Sequence, residues 1–347
     1  MKRGTLAKLA AVAALGGAAF EVERRRLLRL RDRDPEWHEL NRSLEGRPLT
    51  AISADGTRLH VEVFGADDAP TIVLIQGWLE TIPFWHNQIR DLSRDFRLVT
   101  FDHRGHGASD APHREAYTDE ALSDDLEAVL DVSVPRGAQC VVAGHSMGGM
   151  TIVAWAGRHP TEVHGRLAGA ALINTGMSEL MTRIGFLGSR TPPPLREAIM
   201  RSAALTQLAW PTRLDPIGYH LTKRVAFGPG ATPGQVAFAH EMFAGTKPPV
   251  RAGFARTFVP LDLTPSVLRL TVPTLVIGGS LDLLLPIWHS EALAAALPHL
   301  VEYAELPGVG HMSPLEAPEE VTPRIGRLAR ACLMGTAPAV RPAAASA

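Results

Sequence analysis

From residue 71 onward, short apolar runs recur along the chain, each ending in glycine or a polar turn. TIVLIQG (71–77) is apolar and rich in β-branched residues, the composition of a strand buried on both faces. Runs of the same type stand at RLVTFD (97–102), AQCVVAG (138–144), GAALINTG (169–176) and PTLVIGG (273–279), with a weaker one at HLVEYAELPG (299–308). Ahead of them, residues 47–65 alternate instead. Leu59, Val61 and Val63 interleave with Arg58, His60 and Glu62 beyond an Asp55-Gly56 turn, which predicts a half-exposed antiparallel hairpin.

Helical patterns fill the intervals. FWHNQIRDLSRDF (84–96) opens after Pro83, and TDEALSDDLEAVLDV (118–132) starts with Thr118 as N-cap and an acidic first turn. Residues 150–160, 290–298 and 317–334 follow the same logic. Strands alternating with helices predict an α/β fold, a doubly wound and mostly parallel sheet whose ligands bind beyond the carboxyl ends of its strands. Residues 177–270 break the alternation, with helical patterns at 195–210, 216–227 and 232–246 and no buried-strand run. We expect a helical cap there, inserted between two strands. Most of its large apolar residues, such as Met181, Phe186, Trp210, Phe238, Phe254 and Phe258, form its own core, and a few line a pocket. The expected organisation is an apolar and basic helical segment (1–46), a core (47–176 and 271–334), the cap (177–270) and a low-complexity, disordered tail (335–347).

Composition narrows the function classes. The 347 residues, 46% hydrophobic and 20% charged, suit an ordinary globular protein, and a net charge of −1 gives no reason to expect a nucleic-acid partner. Two cysteines, Cys140 in a buried-strand run and Cys332 near a helix end, make neither a disulfide framework nor a metal or redox pair. At the N-terminus, a positive start and an apolar stretch from Leu9 to Phe20 precede Arg24, Arg25, Arg26, Arg29, Arg31 and Arg33. A secretory signal has this outline, but so dense a basic cluster is unusual just inside an exported protein. The stretch is also shorter than the roughly 20 residues of a spanning helix. The favoured expectation is peripheral membrane contact through residues 6–33 of a cytoplasmic protein, with a plain solvated helix and a signal peptide as the alternatives.

Chemistry concentrates in VVAGHSMGGM (141–150). Gly144-His145-Ser146-Met147-Gly148 fits G-x-S-x-G between a buried strand and a helix, the turn that exposes a nucleophilic serine above a sheet. A serine hydroxyl needs a base. Fourteen histidines are present, so position has to select among them. An acid and a base that follow the serine in chain order, on later strand-end loops, are Asp282 in GGSLDLLLP and His311 in GVGHMSPLEAP. His311 would take the serine proton and Asp282 would orient and stabilise its imidazolium. His103, His106 and His145 are expected to be structural. The oxyanion hole is expected from the backbone amides of Trp78, in IQGWLE (75–80), and Met147.

Together, IQGW, FDHRGHGASD (101–110), GHSMGG, GGSLDLLLP and GVGHMSPLEAP resemble the α/β-hydrolase superfamily over about residues 48–334. The resemblance implies a cofactor-free serine hydrolase that cleaves an ester of a mainly apolar, small-molecule or lipid-like substrate through an acyl-enzyme. It leaves room for C–C bond hydrolysis, perhydrolase or haloperoxidase chemistry, amide or lactone hydrolysis, and a non-catalytic ligand-binding role. Serine rather than aspartate at the elbow argues against haloalkane dehalogenase and the usual epoxide hydrolase chemistry. Arg183, Arg201 or Arg224 could anchor a carboxylate substrate. FDHRGHGASD resembles the family's D-x-R-G-x-G-x-S turn, which is structural. One departure is Gln76-Gly77 where the family reads His-Gly, which puts the oxyanion loop's substrate preference in question.

Overall fold

The computed structural model describes residues 3–113, 116–180 and 214–335, together with 192 and 195, and side chains from residue 16 onward. The expected helix at 195–210 beyond its first residue, the residues Met181, Arg183, Phe186, Arg201 and Trp210, and the tail from 336 lie outside the described residues.

Eight strands form one sheet: β1 (Arg47–Ile52), β2 (Arg58–Phe64), β3 (Thr71–Ile75), β4 (Arg97–Phe101), β5 (Cys140–His145), β6 (Leu167–Ile173), β7 (Thr274–Gly279) and β8 (Leu300–Leu306). Their order is β1-β2-β4-β3-β5-β6-β7-β8. β2 alone runs against the direction of the other seven strands, so its pairings with β1 and β4 are antiparallel and the remaining ones parallel. Arg47 stands opposite Val63 and Ile52 opposite Arg58, as the alternating pattern requires. β3 and β5 are buried along their whole lengths, which explains their unbroken apolar sequence.

Helices follow in chain order: α1 (Arg3–Asp32), α2 (Pro35–Leu40), α3 (His86–Leu92), α4 (Asp119–Ser133), α5 (Met147–Arg158) and α6 (Val163–Arg166). Then come α7 (Pro216–Ala226), α8 (Pro233–Gly245), α9 (Pro248–Phe258), α10 (Thr264–Val267), α11 (Trp288–Ala296), α12 (Ser313–Glu316) and α13 (Pro318–Met334). α4, α5 and α11 pack on one face of the sheet, and α3 and α13 on the other. Thr118 caps α4 as its sequence suggested, accepting from the Ala121 amide at 3.2 Å. The pattern at 84–96 is only partly one helix. Ile82–Trp85 is a 3-10 turn that accommodates Pro83, and α3 stops at Leu92. α5 starts at Met147, earlier than its apolar periodicity suggested, because the glycines of its first turn carry no pattern.

Two further features steady the site. Arg104, 1% exposed, spans Asp125 (2.6 Å) and Asp55 (2.9 Å), and thereby ties the β4 loop to α4 and the hairpin turn. Asp102 accepts from the Ile82 and Ala108 amides at 2.9 and 2.8 Å, so FDHRGHGASD is a structural turn. The N-terminal segment is docked on the inserted helices. Leu27 of α1 is buried, Arg31 pairs with Glu241 of α8 at 2.9 Å, and Arg31 also lies 4.5 Å over the Trp37 ring. Arg24, Arg25 and Arg26 pair within the helix to Glu21 and Glu23, so much of the basic cluster is neutralised locally. No helix among the described residues is long and apolar enough to cross a membrane.

Candidate active site

The carboxyl ends of β3, β5, β7 and β8 bring four loops together. At the end of β5, Ser146 adopts φ 50°, ψ −116°, a conformation that L residues rarely hold outside functional turns. The flanking glycines are demanded by space. A Cβ at Gly144 would lie 2.4 Å from the Gly148 backbone, and one at Gly148 would lie 2.1 Å from the Ile75 carbonyl oxygen. Ser146 is half-buried, and its carbonyl accepts from Thr175 Oγ1 at 2.6 Å. Met147, fully buried, is the first residue of α5, and helix geometry gives its N–H no acceptor within the helix.

The structure brings the candidate residues His311 and Asp282 together. His311 Nδ1 lies 2.7 Å from Asp282 Oδ2, with both side chains buried. The other carboxylate oxygen of Asp282 accepts from the Leu284 and Leu285 amides at 2.9 and 2.8 Å. With Nδ1 donating to Asp282, Nε2 is the basic nitrogen. The His311 amide donates to the Ala226 carbonyl at the end of α7 (2.8 Å), which ties the histidine loop to the inserted helices.

The loop after β3 lies against Ser146. A Cβ at Gly77 would be 3.0 Å from Ser146 Cβ and 2.8 Å from Glu80 Oε2. The Gly77 N–H donates to Glu80, and the Leu79 N–H donates to His106 Nε2 at 3.1 Å, with Leu79 at φ 69°. The Trp78 N–H between them has no acceptor among the described residues. Its indole packs edge-on against Phe258 of α9, 5.4 Å between ring centroids. Gln76, where the sequence departs from His-Gly, turns inward and is fully buried. Its amide donates to the Phe101 carbonyl, and its own carbonyl lies 2.7 Å from His103 Nε2. The exchange of His for Gln therefore falls in the packing beneath the loop.

A model of the alpha/beta hydrolase fold matches residues 70–318, a span that contains this whole arrangement. The chain belongs to the alpha/beta hydrolase family. The chain is 26% identical to 3-oxoadipate enol-lactonase 1 of Acinetobacter baylyi over 274 residues, 78% of this chain and 93% of that protein. The crystal structure of the enol-lactonase from Burkholderia xenovorans LB400 superposes with a TM-score of 0.66 at 28% identity, covering 81% of this chain and 99% of that one. Epoxide hydrolase 4 of Mus musculus is 36% identical, but over 105 residues, 30% of this chain; the chain spans only 28% of that relative's length.

Burial governs the electrostatics of the candidate site. It depresses His103 to about 3 and His106 to about 4, so both are neutral packing residues, in keeping with their expected structural role. Burial also opposes a charge on His145, but Glu80, the His311 carbonyl and Asp282 together hold its pKa above the ordinary value. Three residues with a part in the site escaped the sequence reading. Asn174, just past β6 at φ 44°, donates from Nδ2 to Asp282 Oδ2 (3.0 Å) and the Gly310 carbonyl (3.1 Å). Glu316 accepts from the amides of Gly228 (2.7 Å), Gly310 (3.1 Å) and Met312 (3.2 Å), so it grips the His311 loop from both sides. Glu80 braces the loop below Trp78. An asparagine before Thr-Gly at a strand end was the one local signal available. Arg224, a candidate anchor, is exposed on α7.

Proposed function

We propose that this hydrolase cleaves carboxylic esters, lactones included, through an acyl-enzyme on Ser146. The observation that carries the reading is the buried His311–Asp282 pair at 2.7 Å, on loops beside a serine strained at an elbow. Ser146 Oγ attacks the ester carbonyl as His311 Nε2 takes its proton, and Asp282 stabilises the resulting imidazolium. The Trp78 and Met147 amides receive the negative oxygen of the tetrahedral intermediate. His311 then protonates the leaving alcohol, and water repeats the sequence to release the acid. The enol-lactonase likeness supports this reading, because a lactone is a cyclic ester. The elbow serine, in turn, argues against carboxylate-nucleophile chemistry despite the short epoxide hydrolase match.

Helices α7 to α10 are read as part of a cap over the site, supported by the Trp78–Phe258 contact and the Ala226–His311 hydrogen bond. The test is hydrolysis of p-nitrophenyl esters from acetyl to palmitoyl, and of an enol-lactone, by the wild type and Ser146→Ala. Turnover that persists in the folded variant would end the proposal. For α1 we retain peripheral contact with an anionic lipid surface. The supporting observations are the open space around Gly16 and Gly17 and the exposure of Phe20. Equal flotation of the chain with and without residues 1–20 on phosphatidylglycerol vesicles would refute it.

A further inference from the structure

His145 precedes the nucleophile and is fully buried, and both of its ring nitrogens face acceptors. Nδ1 lies 3.0 Å from Glu80 Oε2, and Nε2 lies 2.8 Å from the backbone carbonyl of His311. A carbonyl oxygen can only accept, so Nε2 carries a proton. Two arrangements remain at Nδ1: a second proton on the ring facing a carboxylate, or a neutral ring facing a protonated Glu80. The Gly77 N–H, which also donates to Glu80 Oε2, favours the carboxylate. Phe84 (4.7 Å) and the His311 ring (4.8 Å) cover the imidazole, with Asp282 as the other acidic group acting on it.

We propose that His145 is held as an imidazolium paired with the Glu80 carboxylate, and that this buried ion pair fastens the oxyanion loop to the nucleophile strand and the base loop. Each link in the chain joins a different segment. Gly77 donates to Glu80, Glu80 receives His145, and His145 donates to the His311 backbone. His145 and Glu80 touch no substrate in this scheme and act as positioning residues. The pair stays net neutral, so it can be buried without an uncompensated charge. The inference rests on Ser146, His311 and the Gly77–Trp78 loop forming the reacting site.

Neutron diffraction from deuterated wild-type crystals near neutral pH reads the protonation directly and needs no variant. Deuterons on both His145 nitrogens and none on Glu80 are expected. A deuteron on Glu80, with one on His145, overturns the ion pair. The second arm is phosphonate labelling of Ser146 in Glu80→Gln, with melting temperature as the folding control. Loss of the charged contact is expected to lower the maximal labelling rate about 10- to 100-fold while leaving the half-saturating phosphonate concentration nearly unchanged. A labelling rate within twofold of wild type overturns the positioning role. Wild-type protein that takes no label sinks the serine-nucleophile reading instead, so the two failures are distinct.

Discussion

Asn174→Ala should impair the proposed ester hydrolysis without touching the proposed reacting groups. Asp282 Oδ2 accepts two hydrogen bonds, from His311 at 2.7 Å and Asn174 at 3.0 Å, and Asn174 is 1% exposed, so the carboxylate has little solvent to draw on in its place. A hydrogen bond to a charged group is worth roughly 1.5–3 kcal/mol, which caps the loss in kcat/KM at about 10- to 150-fold if the whole of it reaches the base. Alanine carries a second cost. At φ 44°, a residue with a Cβ but no local polar contact is strained by roughly 1–2 kcal/mol. Asn174→Gly separates the two effects, since glycine accepts that backbone and still loses the amide. Both variants should lose activity on the best p-nitrophenyl ester to a similar degree. In urea titrations the alanine variant should be the less stable by about the strain alone. The reasoning is refuted if Asn174→Gly is as active as wild type, because the hydrogen bond to Asp282 would then be idle.

Gly77→Ala sets a methyl 3.0 Å from Ser146 Cβ and 2.8 Å from Glu80, and should cut kcat by about 100-fold or more in a chain that still folds by circular dichroism; near-normal kcat would mean the loop is not part of the site. Burial pushes Glu316 up to about 7, against three amide donors that pull it down, so between its ordinary 4.5 and 7 the folded chain holds a proton the unfolded chain has released. Its stabilising contribution is therefore full below about pH 4.5 and falls by roughly 3 kcal/mol as pH rises through 7. Urea midpoints of wild type and Glu316→Gln at pH 5 and 8 check this, and a difference that does not change with pH means the amide donors win. Arg104→Met leaves Asp125 buried without its partner and should cost about 3–5 kcal/mol of unfolding free energy; a loss below 1 kcal/mol would show that the pair contributes little.

The parts of this molecule that were legible in the sequence are those whose cause is local. β3, β5 and β7 announce themselves because a parallel strand covered on both faces must be apolar throughout. Ser146 does so because the elbow needs its two glycines within five residues, and the clashes at Gly144 and Gly148 state that requirement in ångströms. Asp282 and His311 lie far from Ser146 in the chain, yet parallel topology delivers the ends of β5, β7 and β8 to one edge, so chain order alone pointed to two residues that the fold pairs. Asn174, Glu80 and Glu316 obey no such rule. Asn174 reaches Asp282 across 108 positions, and Glu80 reaches His145 across 65, through contacts that exist only once loops from different strands are packed. Gln76 makes the same point in reverse. Read as a departure from His-Gly it looked like a change in the oxyanion loop, whereas its side chain points into the sheet toward Phe101. A side chain's neighbours, more than its place in a motif, decide what a substitution in this loop means.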